Sequence, residues 1–378
     1  MKFLHLSDLH LGKRVHEFSM AEDQRYILKQ ILKIAESERA DGVLLAGDIY
    51  DKPVPSAEAV QIFDEFLTGL AKLSVPAFVI SGNHDSAERL AFGAQLLRGS
   101  SVYISPVYDG KVEPVVLRDE WGEVCVWLLP FVKPATVRHA LGTEEAGSYQ
   151  EAVRLAVEKM AVDPRKRNVL LAHQFVTGAS RCESEEISVG GLDNVDAAVF
   201  DSFDYVALGH IHSPQHVTKE TVRYCGTPLK YSFSEAQQEK SVTVVELLEK
   251  GNLRIDLVPL KPLRDMNKIK GSYMEVTALS FYESRNREDY LQVTLTDEED
   301  VPDGMQKLRI IYPNLMRLEY DNRRTRENQI VYGAAAVEEK SELELFEEFY
   351  ALQNNQSMSG EQKSFAQKLI DEVRERRG

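Results

Sequence analysis

The chain has 378 residues, 43% of them hydrophobic, enough for two or three domains with substantial cores. Its formal net charge of −15 argues against gripping nucleic acid by bulk positive charge. Three cysteines with no CxxC pair argue against a disulfide framework or a thiolate zinc site, and for a reducing compartment.

The opening residues, MKFLHLSDLH, place His5 and Asp8 inside their apolar stretch, unlike a secretion leader. The longest apolar run, near residues 124–132, is far short of the ~20 residues of a membrane helix. A cytoplasmic protein without membrane contact is expected. Five short apolar runs, 3–6, 43–46, 77–80, 169–172 and 205–208, lack alternation, the pattern of strands buried on both faces. Between them, Ile27, Ile31 and Ala35 share one helical face, and Val60, Phe63, Leu67 and Leu70 share another. Strand, helix, strand in this order predicts α/β layers with a mainly parallel sheet.

After residue 220 the pattern changes. SVTVVELL and LRIDLVPL flank EKGN, a predicted hairpin. Pro259 and Pro262 bracket a domain boundary. Residues 263–335 read as a small α+β unit with strands near MEVTAL, LQVTL and LMRLEY. From residue 336 the chain is acidic and helical. Leu343, Phe346, Phe349 and Leu352 form one stripe, and Phe365, Leu369 and Val373 another.

The residues just past each buried strand carry the chemistry. The first run ends in Asp8 and His10, and the second in Gly47-Asp48. The third ends in Gly82-Asn83-His84-Asp85, the fourth in His173, and the fifth in Gly209-His210-Ile211-His212. Carboxyl ends of strands are where sites form in open α/β sheets. Asp8 and His10 are two apart, as are His210 and His212, so in extended chain each pair points one way. A single DxH or GD is usually a turn or cap, and HIH alone reads equally as core histidines. Five such ends in one chain are not explained that way.

The donors are carboxylates, an amide oxygen and imidazoles. That mixture suits Mn, Fe or Zn, with its hard ligands favouring Mn2+. Seven candidates, Asp8, His10, Asp48, Asn83, His173, His210 and His212, exceed the four ligands of a structural zinc site. Two divalent metal ions sharing one carboxylate account for the number, the arrangement of phosphoester hydrolases.

The motifs DLH, GDIYD, GNHD, LLAHQ and GHIH resemble those of the calcineurin-like metallophosphoesterases. HLSDLHLGK, LAGDIYDKPVPS, VISGNHDSAERL, ALGHIHSPQ and YCGTPLKYSFSE resemble the SbcD family within that group, densely over the first 260 residues and loosely beyond. The resemblance implies an α/β layered sandwich, β-sheets flanked by helices, with a small α+β capping domain and C-terminal helices. Its domains would be 1–262 (nuclease), 263–335 (capping, DNA recognition) and 336–378 (partner binding). It implies that Asp8, His10 and His212 hold one metal and Asn83, His173 and His210 the other, with Asp48 bridging. His84 would act on the scissile phosphate without ligating metal, and Asp85 would orient His84.

The same resemblance implies a partner, the coiled-coil ATPase SbcC, docked through the C-terminal helices. The substrates would be DNA ends, hairpins and single strands. The implied activity is an ATP-stimulated 3′-to-5′ double-strand exonuclease and single-strand endonuclease in repair, recombination and replication. It also implies a homodimer, for which 87–97 and 56–73 are the candidate helices, with Leu90, Gln95 and the Phe63/Phe66 face offering contacts. The basic clusters at 164–167, 261–270 and 322–326 read equally as DNA contacts or solvated surface. GTPLKYSFSE reads equally as cleft lining or a packed loop. His5, alternating with apolar neighbours, reads as a hydrogen-bonded core residue. A small-molecule or cyclic-nucleotide phosphodiesterase on the same metal core is one rival, and the extra C-terminal third argues against it; a non-enzymatic scaffold on an inactive nuclease fold is the other, and the complete ligand set with His84 argues against that.

Overall fold

The computed structural model describes residues 1–180, 182–185, 193–323, 325, 342–354 and 357–377. They fall into two compact units, Met1–Asp265 and Met266–Gly378. In the first unit the five expected strands form and are numbered β1 (Lys2–Leu6), β2 (Gly42–Ala46), β3 (Ala77–Ile80), β4 (Arg167–His173) and β5 (Tyr205–Gly209). They do not share one sheet. β1, β2 and β3 run parallel in a six-stranded sheet, extended by the parallel strand Val102–Ile104 on one side. On the other side lies the hairpin of Ser241–Leu247 and Leu253–Pro259 that the EKGN turn predicts, its first strand antiparallel to β1. β4 and β5 lie parallel at the centre of a second six-stranded sheet, between Gly122–Leu128 and Lys219–Tyr224.

The strands are apolar on both faces because each sheet is covered twice. Phe3, Leu44, Phe78 and Ile80 of the first sheet pack with Val126, Val169, Leu171 and Tyr205 of the second in one buried cluster. On the other face of the second sheet, Leu170, Ala172, Val206 and Leu208 pack with Val153, Ala156 and Val157 of the helix Tyr149–Glu158. Each large side chain so buried contributes about 1.5–3 kcal/mol. Two further helices, α1 (Ala21–Ser37) and α2 (Ala57–Lys72), lie beside each other. α1 buries Ile27, Ile31 and Ala35 as its periodicity predicts. α2 differs: Ser56 caps it through the Ala59 N–H, and Ala59, Ile62, Phe63, Phe66 and Leu70 face inward, leaving Val60 45% exposed.

His5 is the polar tie between the sheets. It is fully buried on β1, and its Nε2 lies 3.1 Å from the Leu208 carbonyl and its Nδ1 2.9 Å from the Tyr205 hydroxyl on β5. A carbonyl only accepts, so Nε2 carries the proton and Nδ1 accepts from Tyr205.

The second unit holds three parallel strands, Met266–Gly271, Tyr290–Leu295 and Leu315–Tyr320, around Ile269, Val293, Leu308 and Tyr312. MEVTAL is not a strand here. Ser272 and Glu275 form a capping box that starts the helix Tyr273–Val276. Helices Glu342–Asn354 and Gly360–Arg377 follow, joined by Lys363 to Glu347 (2.9 Å) and Gln362 to the Tyr350 hydroxyl (2.9 Å). Phe346, Phe349, Phe365 and Leu369 stay 44–65% exposed. The side chains of Leu352 and Val373, and parts of the 322–326 cluster, lie outside the described residues.

Candidate metal centre

After β1, β2 and β5 the chain turns sharply, and these turns are strained. Asp8, His10, Asp48 and His210 all hold left-handed backbone, with φ of +53°, +44°, +49° and +99°. Such conformations cost about 1–3 kcal/mol each for a residue with a side chain. The loops hold one another in place. The Asp8 N–H donates to the Gly47 carbonyl and the His10 N–H to the Asp48 carbonyl, both at 3.0 Å. The His210 N–H donates to both Asp8 carboxylate oxygens (3.0 and 3.1 Å), and the His84 N–H to Asp48 Oδ1 (2.9 Å). Two glycines permit this approach: a Cβ at Gly82 would stand 2.1 Å from Asp48 Oδ1, and one at Gly209 would stand 1.9 Å from the Ala46 carbonyl oxygen.

The side chains converge from both sheets. Ligand atoms of Asp8, His10 and His212 lie within 4.8 Å of one another, as do those of Asp8, Asp48 and His173, and those of His10, Asp48 and His84. Asp48 is thus common to two groupings, its Oδ2 3.4 Å from His173 Nε2 and 3.8 Å from His10 Nε2. Asn83 Oδ1 lies 3.0 Å from His173 Nε2 and 2.9 Å from His210 Nδ1, which brings those three together. His84 Nε2 stands 4.0 Å from Asp48 Oδ2.

The outer ring nitrogens are anchored by protein oxygens. His173 Nδ1 lies 2.8 Å from the Ala46 carbonyl, and His84 Nδ1 lies 3.1 Å from the Asp51 carbonyl. Both must donate, so in the neutral rings Nε2 faces inward with a lone pair. His10 Nε2 and His212 Nε2 meet at 3.2 Å. Burial holds both of these rings well below the ordinary histidine range. Burial, with Asp48 nearby, pushes the Asp8 carboxyl up to about 7. For Asp48 burial pulls upward, yet His173, His10 and His84 outweigh it and its carboxyl lies well below the usual range. His173 responds in kind: burial lowers it, but Asp48 and Asp8 raise it to about 9. Lone pairs and carboxylates facing one another in a buried space need positive charge between them, so the donor set fits divalent cations.

Asp85 does not orient His84. Its two oxygens accept from the backbone N–H groups of Ile49 (3.1 Å), Tyr50 (2.9 Å) and Gly82 (2.9 Å). It staples the Gly47-Asp48 loop to the Gly82-Asn83 turn, while Asp51 sets the His84 ring. Burial and the neighbouring Asp48 raise Asp85 to about 6 despite these amides.

Further residues reach the site, Tyr231 and Glu235 from GTPLKYSFSE and Ser184 and Glu185 with no signal in the sequence. The Tyr231 hydroxyl donates to the Leu9 carbonyl (2.5 Å) and accepts from Gln24 (3.1 Å), and its ring lies edge-on to His10 and His212. GTPLKYSFSE therefore backs the metal centre. Ser184, Glu185 and Glu235 surround His212. In the 164–167 cluster, Arg167 is spent on the fold, while Lys166 and Arg165 stay 41% and 87% exposed in surface pairs. Arg167 is buried against Asp119 and the Leu248 and Gly122 carbonyls, Lys166 pairs with Glu123, and Arg165 with Asp163. Arg264 pairs with Glu22 and Asp23.

Residues 1–214 match the calcineurin-like phosphoesterase family, and residues 262–354 match the type 5 capsule protein repressor C-terminal domain. The chain is 32% identical over 382 residues to the SbcD subunit of the nuclease SbcCD from Staphylococcus epidermidis, covering 100% of both proteins. Among solved structures, a dimetal phosphatase from Danio rerio is 13% identical, covering 69% of this chain and 96% of that one, with a TM-score of 0.38. A protein of Thermus thermophilus is 13% identical, covering 68% and 98%, with a TM-score of 0.37. At those scores neither structure informs the site. The family match and the full-length identity agree: this chain belongs to the SbcD family of calcineurin-like phosphoesterases.

Proposed function

We propose that the chain is the metal-dependent nuclease subunit of an SbcCD-type complex, hydrolysing phosphodiester bonds in DNA. The observation that carries this reading is the convergence of Asp8, His10, Asp48, Asn83, His173, His210 and His212 on one buried centre. Asp8, His10 and His212 would hold one cation, Asn83, His173 and His210 the other, and Asp48 both. The mixture of carboxylate, amide and imidazole favours Mn2+. When bound, the two cations acidify water and neutralise the phosphate oxygens.

The chain's own groups do the rest. His84, held through Nδ1 by the Asp51 carbonyl, presents Nε2 to the centre; with both ring nitrogens protonated it would give the Nε2 proton to the leaving oxygen and end as the neutral Nδ1–H ring. Asp85 keeps the two catalytic loops in register. The finer activity we read is ATP-stimulated 3′-to-5′ exonuclease and single-strand or hairpin endonuclease in repair, recombination and replication. The partner would be SbcC, taking the exposed Phe346, Phe349, Phe365 and Leu369 stripes. For a homodimer the contacts would differ from those expected. Phe63 and Phe66 are buried inside the unit and Leu90 is 7% exposed, whereas Phe92 and Leu96 are 86% and 85% exposed.

The test is an assay of Mn2+-loaded protein on duplex ends and hairpins beside a nitrophenyl phosphodiester. Cleavage of DNA is the expected result. Turnover of the small diester with no cut in any DNA, alone or with SbcC, would favour a small-molecule phosphodiesterase.

A further inference from the structure

Three of the site histidines have their outer nitrogen held by the protein, but by different means. His173 and His84 lean on backbone carbonyls, of Ala46 and Asp51, which no substitution at those positions removes. His212 leans on a side chain. Its Nδ1 lies 2.7 Å from Ser184 Oγ, and Ser184 Oγ lies 2.7 Å from Glu235 Oε1.

A hydroxyl has one proton. Glu235 is loaded with donors: Lys240 Nζ at 2.6 Å, the Tyr231 N–H at 3.3 Å and the Thr227 hydroxyl at 3.3 Å. It therefore accepts from Ser184 rather than donating, and the Ser184 proton is committed to it. Ser184 Oγ can then only accept from His212 Nδ1–H. That leaves His212 Nε2, the atom 3.2 Å from His10 Nε2, with its lone pair directed into the centre. The same cluster grips the His212 backbone: Glu185 accepts its N–H at 2.7 Å and Lys240 donates to its carbonyl at 2.9 Å. Glu235 and Lys240 are 0% and 4% exposed, and a buried pair of this kind is costly to build for stability alone.

We propose that Ser184 and Glu235 are positioning residues that fix the tautomer of His212, so that its Nε2 is always ready to ligate a divalent cation. The inference rests on His212 being a metal ligand, as proposed for the centre. It also accounts for the placement of Glu235 within GTPLKYSFSE.

The experiment uses the full chain with 15N-labelled histidine. The His212 ring signals are read in metal-free protein, and Mn2+ binding is then titrated by calorimetry. The wild type is expected to show protonated Nδ1, unprotonated Nε2 and two bound Mn2+. Ser184→Ala should give mixed tautomers and weaken one of the two sites roughly 10- to 100-fold, the size of effect such outer partners have. Ser184→Thr, which keeps the hydroxyl, should restore both readouts. Glu235→Gln should free the Ser184 proton and shift His212 towards protonated Nε2; should that variant not fold, the Ser184 pair decides. Two Mn2+ bound by Ser184→Ala with wild-type affinity and an unchanged tautomer would overturn the relay. A wild type that binds no Mn2+ would instead overturn the metal reading beneath it.

Discussion

His84 and Asp48 sit 4.0 Å apart and should fail in different ways. His84 is anchored from outside the centre and is assigned to the leaving group, so His84→Gln should still bind two Mn2+ while losing roughly 10²–10⁴-fold in cleavage. Asp48→Ala removes the carboxylate common to two ligand groupings and should lose both metal and cleavage. Metal analysis beside a nuclease assay checks the pair, and two ions retained by Asp48→Ala would exclude it as the bridge. Asp85 has a third phenotype. Asp85→Ala strands three backbone N–H groups and should cost about 2–4 kcal/mol, since a half-buried turn admits some water. At roughly 2–4 °C per kcal/mol, a calorimetric melt resolves that loss. An unchanged Tm would show that the staple is dispensable. The ligand candidates were legible because each is a polar residue immediately after a run that must be buried. The role of Asp85 was not, because adjacency suggests pairing with His84, whereas neighbours at a turn point apart and three amides compete for the carboxylate. Ser184 carried no signal of its site role, and Tyr231 and Glu235 carried only the even reading of GTPLKYSFSE; they reach His10 and His212 through tertiary approach of loops.

At the scale of elements, β1 and β5 belong to different sheets, and His5 joins them. Burial lowers the His5 ring from its ordinary 6.5 to about 3, with the Leu208 bond pulling the other way. Below pH 6.5 the unfolded chain binds a proton there that the folded chain refuses. Stability is therefore full above pH 6.5 and falls as pH drops towards 3, by up to about 1.4 kcal/mol per pH unit in that window. His5→Gln should flatten this slope. Melts of both proteins in EDTA between pH 7 and 4 test it, because chelation removes metal release as a second source of acid lability; parallel curves would mean that the His5 tie contributes nothing to acid sensitivity. The existence of β1 to β5 was legible because burial on both faces leaves an unbroken apolar run. Their division between two sheets was not, since a run of Val and Leu names no pairing partner. In the second unit, MEVTAL satisfies strand propensity, but Ser272 and Glu275 close a capping box around its start and the helix wins. The strand Met266–Gly271 leaves no comparable pattern, because only Met266 and Ile269 are buried in it, with Lys268 between them.

At the scale of the whole chain, a net charge of −15 must be reconciled with the polyanionic substrate proposed for it. Several of the described basic residues are already paired. Arg165, Lys166, Arg167 and Arg264 are each paired with carboxylates, and Lys270 pairs with Asp321. Two divalent cations would reverse the local field at the centre, but they cannot track a duplex away from it. Under the proposed function an extended grip on DNA would fall to the partner, and the apolar stripes of the two C-terminal helices would be the elements on which that grip depends. Among the described residues, the core of the second unit, from Ile269 to Leu315, contains none from those helices, and the metal-competent groupings lie in Met1–Asp265. Deleting residues 340–378 should therefore leave a folded protein that binds two Mn2+ and turns over a nitrophenyl phosphodiester at the full-length rate, yet fails to co-elute with SbcC in size-exclusion chromatography. Its cleavage of duplex ends should no longer respond to SbcC and ATP. Co-elution by the truncated chain would place the partner surface elsewhere, and loss of diester turnover would show that the helices support the first unit rather than only a partner.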